Sequence, residues 1–323
     1  MSTQATAHIL VTDPLHRAGL DALAAAPGVT VTAPGKMDRA AALAAIPSAD
    51  ALIVRSGTKV DCELIAAGAR LRVICRAGVG VDNVDVEAAT ARGIVVMNTP
   101  DGNTIATAEL TLALMLALAR HLVAASASVG AGQWERRAFA GTELRGKTLG
   151  LVGLGRVGSA VAQRAAAFGM HVVAADPCRP PEEMARLRVE CVSWGELLAR
   201  SDYISLHAPL DETTYHLVDA RAIAAMKDGV RIINTARGAI VDEVALAEAI
   251  RSGKVAGAAV DVYSVEPPNG NPLIGLPDVV HTPHLGASTA EAQEGVAVEA
   301  AQQVLDALLR GEYRNVVNPE ALR

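Results

Sequence analysis

Short runs of aliphatic and β-branched residues alternate along this chain with longer, alanine-rich stretches of helical period. The runs in the first third are Ile9 to Val11, Val29 to Thr32, Leu52 to Val54, Val73 to Cys75 and Ile94 to Val96. Helical patterns lie between them at Leu15 to Ala25, Arg39 to Ile46 and Val86 to Arg92. Alternation of this kind predicts βαβ units, a parallel sheet and helices on both of its faces. The turn-forming cluster Asn98-Thr99-Pro100-Asp101-Gly102-Asn103 then marks a boundary. Thr104 to about Val129 reads as one long helix, apolar nearly all round between Leu110 and Ala119 and therefore buried. From Thr148 the alternation resumes, with strands expected at Leu149 to Val152, Val172 to Ala175, Tyr203 to Leu206, Val230 to Asn234, Ala258 to Val262 and Val279 to Thr282. A last helical pattern, Thr289 to Leu309, stops at Gly311 and is expected to return to the first domain. The fold expected is α/β, with two doubly wound parallel-sheet domains: residues 1–100 with 289–323, and residues 101–288 between them.

Composition narrows the function classes. The chain has 323 residues, of which 51% are apolar and 20% charged, enough for two sizeable cores and against disorder. Aromatic residues make up 2% and the net charge is −6, so neither base stacking nor a basic surface points to a nucleic-acid partner. Cys62, Cys75, Cys178 and Cys191 have no C-x-x-C spacing, so no metal site or disulfide framework is expected and a cytoplasmic location fits. The polar segment Met1 to Ala7 lacks the form of a signal peptide, and Leu110 to Ala119 is too short to span a bilayer, so no membrane role is expected.

The strongest chemical signal is Gly153-Leu154-Gly155-Arg156-Val157-Gly158, directly after the run Thr148 to Val152. Gly153 permits a tight turn, Gly155 lets backbone approach a pyrophosphate, and Gly158 lets the following helix pack closely. The helix N-terminus then faces the phosphates. Asp176 ends the next apolar run, where a carboxylate accepts from ribose hydroxyls and repels a 2′-phosphate, which favours NAD over NADP. Arg179, three residues on, is expected in solvent.

Three residues stand at or just past later strand ends: Arg237, Glu266 and His284. Arg237 could grip a carboxylate through two parallel hydrogen bonds. His284 could take a hydroxyl proton as hydride leaves the same carbon, with Glu266 orienting the imidazole. A solitary strand-end histidine is usually structural, and so His207 and His281 are read. In the first domain, Arg55-Ser56 follows a strand and offers a cation and a hydroxyl to an anion.

Asn234-Thr235-Ala236-Arg237-Gly238, Asp261 with Glu266-Pro267-Pro268, and Pro283-His284-Leu285-Gly286-Ala287-Ser288-Thr289 resemble the signatures of the D-isomer-specific 2-hydroxyacid dehydrogenases. The resemblance covers essentially the whole chain. It implies a Rossmann-type NAD domain inserted in a discontinuous, flavodoxin-like substrate domain, with a small anionic 2-hydroxy acid held in the cleft between them. It implies Arg237, Glu266 and His284 as the catalytic set, and NAD contacts near Arg156, Val157, Asp176, Ala208, Thr235, Asp261 and Gly286. Asp261 is expected to meet the nicotinamide carboxamide. Substrate contacts implied are Arg55, Ser56, Gly78 and Asn103, with Arg136 reaching a partner's substrate phosphate across a homodimer, or a tetramer built from it.

The stretches Ile53 to Ser56, Arg76 to Asp85, Trp134 to Arg137 and Gly141 to Leu144 resemble those members whose substrate is phosphorylated. Sister enzymes acting on hydroxypyruvate or glyoxylate, and NAD-sensing corepressors of the same fold, are the competing readings. Val79 and Ala208 stand where the family often has a hydroxyl, a loss of about 1 kcal/mol in cofactor binding. The chain stops soon after its last helix, so the additional C-terminal domains of longer relatives are not expected.

Overall fold

The computed structural model describes residues 7–323, so all of the N-terminal polar segment except Ala7 lies outside the described residues. The chain divides into two compact units, residues 1–103 with 287–323, and residues 104–286.

The first unit is built on five parallel strands: β1 (Ala7–Val11), β2 (Val29–Thr32), β3 (Ala51–Val54), β4 (Val73–Arg76) and β5 (Val95–Asn98). Their order is β2-β1-β3-β4-β5, the doubly wound order of flavodoxin-like sheets. β3 is buried along its whole length, which is why it reads as a continuous apolar run and not as an alternation. Four helices connect the strands: α1 (Arg17–Ala24), α2 (Arg39–Ala45), α3 (Cys62–Ala67) and α4 (Val86–Ala91). Three of them begin at an aspartate N-cap, Asp38, Asp61 and Asp85, whose carboxylate accepts from a first-turn N–H.

The second unit opens with α5 (Thr104–Ala119) and α6 (Leu122–Gly130). The single long helix expected over 104–129 is therefore two, bent by 65°. The break is at His121, whose φ of +50° leaves the right-handed region. α5 is mostly buried, as its all-round apolar surface requires, whereas α6 is mostly exposed.

Seven parallel strands follow: β6 (Thr148–Val152), β7 (His171–Ala175), β8 (Glu190–Cys191), β9 (Tyr203–Leu206), β10 (Val230–Asn234), β11 (Val255–Val260) and β12 (Val279–His281). Their order is β12-β11-β10-β9-β6-β7-β8. The direction of winding reverses between β6 and β9, and such switch points are where open α/β sheets bind ligands. β8, a two-residue edge strand, has no counterpart in the sequence pattern. β11 starts three residues before the apolar run and ends at Val260, which leaves Asp261 just past the strand. The remaining α-helices are α7 (Arg156–Ala167), α8 (Pro181–Arg186), α9 (Trp194–Arg200), α10 (Ala220–Ala225), α11 (Glu243–Arg251) and, in the first unit, α12 (Ala290–Arg310). Among the described residues no single helix is long and apolar enough to cross a membrane.

Candidate active site

The predicted cofactor residues gather at the carboxyl ends of β6, β7, β9 and β10. Gly153 has φ +88°, and a Cβ on it would lie 2.8 Å from the His207 carbonyl oxygen. A Cβ on Gly158 would come within 2.3 Å of the Gly153 carbonyl oxygen, so the helix can start this close to the turn only without a side chain there. Gly155 differs from both: a Cβ on it meets nothing within 4 Å. It leaves a bare stretch of backbone at the N-cap of α7, with no side-chain cap on the first-turn N–H groups. That combination fits a pyrophosphate. Arg156 is exposed at the first helical position, and Val157 packs inward.

The Asp176 carboxylate accepts from the Leu154 N–H at 2.7 Å and from the Cys178 N–H at 2.8 Å. It is thereby fixed beside the glycine turn. Arg179 is not in solvent as expected. Its Nη1 donates to the Leu154 carbonyl and to Ser159 Oγ, the latter at 2.6 Å, and its Nε donates to Glu183 at 3.3 Å. His207 pairs its Nε2 with Ser205 Oγ at 2.9 Å, and its N–H donates to the Val152 carbonyl at 2.8 Å. The residue keeps some exposed surface, but burial of its ring pushes the imidazole down to about 3, so it is neutral. Its neighbour Ala208 lies partly buried against the core, and Thr235 shares a hydrogen bond with Thr111 of α5 at 2.9 Å.

The catalytic candidates lie past β10, β11 and β12. His284 Nδ1 is 2.8 Å from Glu266 Oε2, with the two side chains 45% and 39% exposed, so the pair is formed and open to a ligand. A carboxylate can only accept here, which puts a proton on Nδ1 and leaves Nε2 for the reacting group. Glu266 Oε1 accepts from the Tyr263 N–H at 3.2 Å. Burial raises the Glu266 carboxyl, but the His284 hydrogen bond and charge, the Tyr263 N–H and the nearby Arg237 outweigh it and hold the group below its ordinary value. Glu266 is therefore ionised at neutral pH. Arg237 follows β10 with its backbone carbonyl accepting from Asn234 Nδ2 at 2.8 Å, and its guanidinium donates to the Ala236 carbonyl at 2.6 Å.

His284 sits at φ +54°, which costs a non-glycine residue about 1–3 kcal/mol. Asp261 holds it there. The Asp261 carbonyl accepts from the His284 N–H at 2.8 Å, and its fully buried carboxylate accepts from Leu285 N–H (2.7 Å), Gly286 N–H (2.9 Å) and Thr282 Oγ (2.6 Å). The Gly286 carbonyl accepts in turn from Thr107 Oγ1 at 2.9 Å. Thr107 and Thr111 thus tie α5 to two predicted cofactor residues, a link that alanine-rich helical periodicity conceals.

In the first unit, Arg55 follows β3 and Arg76 ends β4, and the adjacent Val54 and Arg76 are register partners. The Nε atom of Arg55 is buried without a hydrogen-bond partner. Burial lowers the Arg55 guanidinium from its ordinary value. A Cβ on Gly78 would fall 1.8 Å from Arg76 Nη1, so the guanidinium occupies the space a side chain would need. The Asn103 Oδ1 is likewise buried and unpartnered. Ser56 lies in the exposed part of the loop after β3. Two residues absent from the expected set fix that loop. Asp13 accepts from the Arg55 N–H (2.6 Å), the Thr58 N–H (3.1 Å) and Thr58 Oγ1 (2.9 Å), while Asn83 Nδ2 donates to the Arg55 and Thr58 carbonyls, both at 2.7 Å. Only the aspartate at a strand end hints at this in the sequence. Arg136, in the second unit, is exposed on the turn after α6.

Among the described residues no cluster of His, Cys, Asp or Glu is arranged to hold a metal. Residues 112–286 match the family described as D-isomer specific 2-hydroxyacid dehydrogenase, NAD binding domain. The chain is 53% identical to the D-3-phosphoglycerate dehydrogenase of Mycobacterium leprae over 85% of its own length and 52% of that protein's. It is 50% identical to the hydroxypyruvate reductase of Thermotoga maritima over 81% of its length and 86% of that protein's. The structure of the TT0316 protein of Thermus thermophilus superposes with a TM-score of 0.88 at 42% identity, covering 96% of this chain and 99% of that one. The chain spans about half the length of the curated phosphoglycerate dehydrogenase it matches. It belongs to the D-isomer specific 2-hydroxyacid dehydrogenases, and residues 112–286 are their NAD binding domain.

Proposed function

We propose that the chain oxidises 3-phospho-D-glycerate to 3-phosphohydroxypyruvate with NAD, the entry step of serine synthesis. The observation that carries the chemistry is the His284–Glu266 pair at 2.8 Å with Arg237 beside it, past the carboxyl ends of the same parallel sheet as the glycine turn. Arg237 holds the substrate carboxylate, and His284 Nε2 accepts the hydroxyl proton as the hydride leaves the same carbon. Glu266 stabilises the imidazolium that results. Bound NAD supplies the hydride acceptor. Gly153, Gly155, Gly158, Arg156 and Val157 shape its phosphate site, and Asp176 takes the adenosine ribose. Ala208, Thr235 and Gly286 line its path, and the buried Asp261, instead of meeting the carboxamide itself, fixes the Leu285–Gly286 backbone beside it. In the first unit Arg55, Ser56, Gly78 and Asn103 hold the anionic substrate, and the buried, unpartnered Arg55 and Asn103 atoms support that role.

The same reading makes the protein a cytosolic homodimer. Leu122 and Val123 are 53% and 58% exposed on α6, and Trp134 just beyond it is 78% exposed, an apolar surface suited to a second copy. Arg136 lies beside that surface. All four cysteines are free, as a reducing compartment requires.

The competing substrate is an unphosphorylated hydroxy acid, given the resemblance to a hydroxypyruvate reductase. The test is kcat/KM for 3-phosphoglycerate against D-glycerate. One charged hydrogen bond to the phosphate gives a preference of about tenfold or more. Equal values would replace this substrate with the unphosphorylated acid.

A further inference from the structure

We infer that Arg179 is a positioning residue for the adenosine half of the dinucleotide: it straps the loop that carries Asp176 onto the glycine turn. The inference rests on the NAD site proposed above. Leu154, between the first two glycines, is fully buried, and both polar groups of its backbone are held from the loop after β7. Its N–H donates to Asp176 at 2.7 Å, and its carbonyl accepts from Arg179 Nη1. The second Nη1 hydrogen goes to Ser159 Oγ at 2.6 Å, and Ser159 Oγ itself donates to the Leu154 carbonyl at 3.1 Å. Arg179 Nε donates to Glu183 in the first turn of α8, which orients the planar fork.

The consequence follows from the order of residues. Gly155, whose bare backbone faces open space, is the next residue after Leu154. Arg179 holds the carbonyl of the Leu154–Gly155 peptide, so any tilt of that peptide re-aims the Gly155 N–H that a pyrophosphate would meet, while Asp176 anchors the preceding Gly153–Leu154 peptide. Asp176 alone ties only the N–H side of Leu154. Arg179 ties the carbonyl side by a charge-assisted bond, so acid and base together fix the turn and the ribose-binding loop as one piece. Nη1 and Nε of Arg179 are directed at protein acceptors, which leaves Nη2 alone and no two-nitrogen fork for a 2′-phosphate. Its loss should weaken binding without changing the preference for NAD over NADP.

The test is direct titration of the whole protein with NADH, followed by fluorescence, in the wild type, Arg179→Met and Arg179→Lys. Removing one charge-assisted hydrogen bond should raise the NADH Kd about tenfold in Arg179→Met, with an equal rise for ADP-ribose. KM for NAD should rise in parallel while kcat stays within about twofold. Arg179→Lys keeps a cation but not the fork, and should recover part of the loss. If the Met variant does not fold, the Lys variant carries the comparison. The proposal is overturned if Kd for NADH and ADP-ribose is unchanged, whether or not the melting temperature falls. It is also overturned if NADP binding weakens more than NAD binding, since Arg179 would then be a phosphate receptor. Failure of the wild type to bind NADH at all would instead refute the NAD site itself.

Discussion

Gly155 and Gly158 belong to one short motif, yet the structure assigns them separable roles. Consider alanine at each. At Gly158 the new Cβ would stand 2.3 Å from a backbone carbonyl oxygen, about 1 Å short of ordinary contact at 3.4 Å. Neither the Gly153 carbonyl nor the start of α7 can give way by that much without moving the turn. Overpacking of backbone against backbone should cost about 3 kcal/mol, at the upper end of its usual range. For a unit of this size that lowers the melting temperature by roughly 6–12 °C. At Gly155 the new Cβ meets nothing, and the backbone φ of −69° suits alanine. Only the N-cap preference changes, by less than about 1 kcal/mol. The Cβ nonetheless fills the space over the helix N-terminus where a phosphate must come closest, so NADH affinity should fall about tenfold or more. Calorimetric melts and NADH fluorescence titrations on the two variants separate these effects. Gly155→Ala with native NADH affinity would sink the assignment of this turn to the pyrophosphate, and Gly158→Ala with an unchanged melt would sink the packing argument.

His284→Ala should lower kcat by about 10² or more while NADH still binds, and Glu266→Gln should lower it by a smaller factor; an unaltered kcat removes the residue from the mechanism. The neutral His207 makes stability depend on pH. With its folded pKa near 3 and an ordinary value of 6.5, the unfolded chain binds the extra proton first, so stability is full above pH 6.5 and declines towards pH 3. The contribution is roughly 2 kcal/mol lost between pH 6.5 and pH 5, and denaturant midpoints of His207→Gln across that interval should show a flatter slope. Aspartates at Leu122 and Val123 on α6 should convert a dimer to monomers in analytical ultracentrifugation; a wild-type monomer would refute the dimer outright.

The glycine turn, its acid and the three strand-end residues were legible because each is announced within a few positions by a local pattern, a strand followed by the residue that leaves it. What stayed hidden is contact made over long separations. Asp13 reaches the Arg55 loop across 42 residues, and Thr107 reaches the Gly286 carbonyl across 179. No periodicity encodes such partners. Arg179 looked solvent-bound because its acceptors are a backbone carbonyl and a serine 20–25 residues upstream. The break at His121 is silent in the sequence for another reason. Apolar residues continue on both sides of it, and neither glycine nor proline marks the change. A β-strand of two residues, such as β8, is simply too short to leave a pattern.

The return of α12 to the first unit has a consequence for how the chain is made. Ala300, Ala301, Val304 and Ala307 of that helix cover the same core as Ile9, Ile53, Val73 and Cys75. On a ribosome adding 5–20 residues per second, the strands through residue 103 wait roughly 10–40 s before residue 290 is added. Residues 104–286 form a contiguous unit and meet no such delay. The second unit can therefore mature first although it is synthesised later, while one apolar face of the first sheet remains uncovered. That interval is when the nascent protein most needs a chaperone, and it is when the helix of one chain could close the sheet of another.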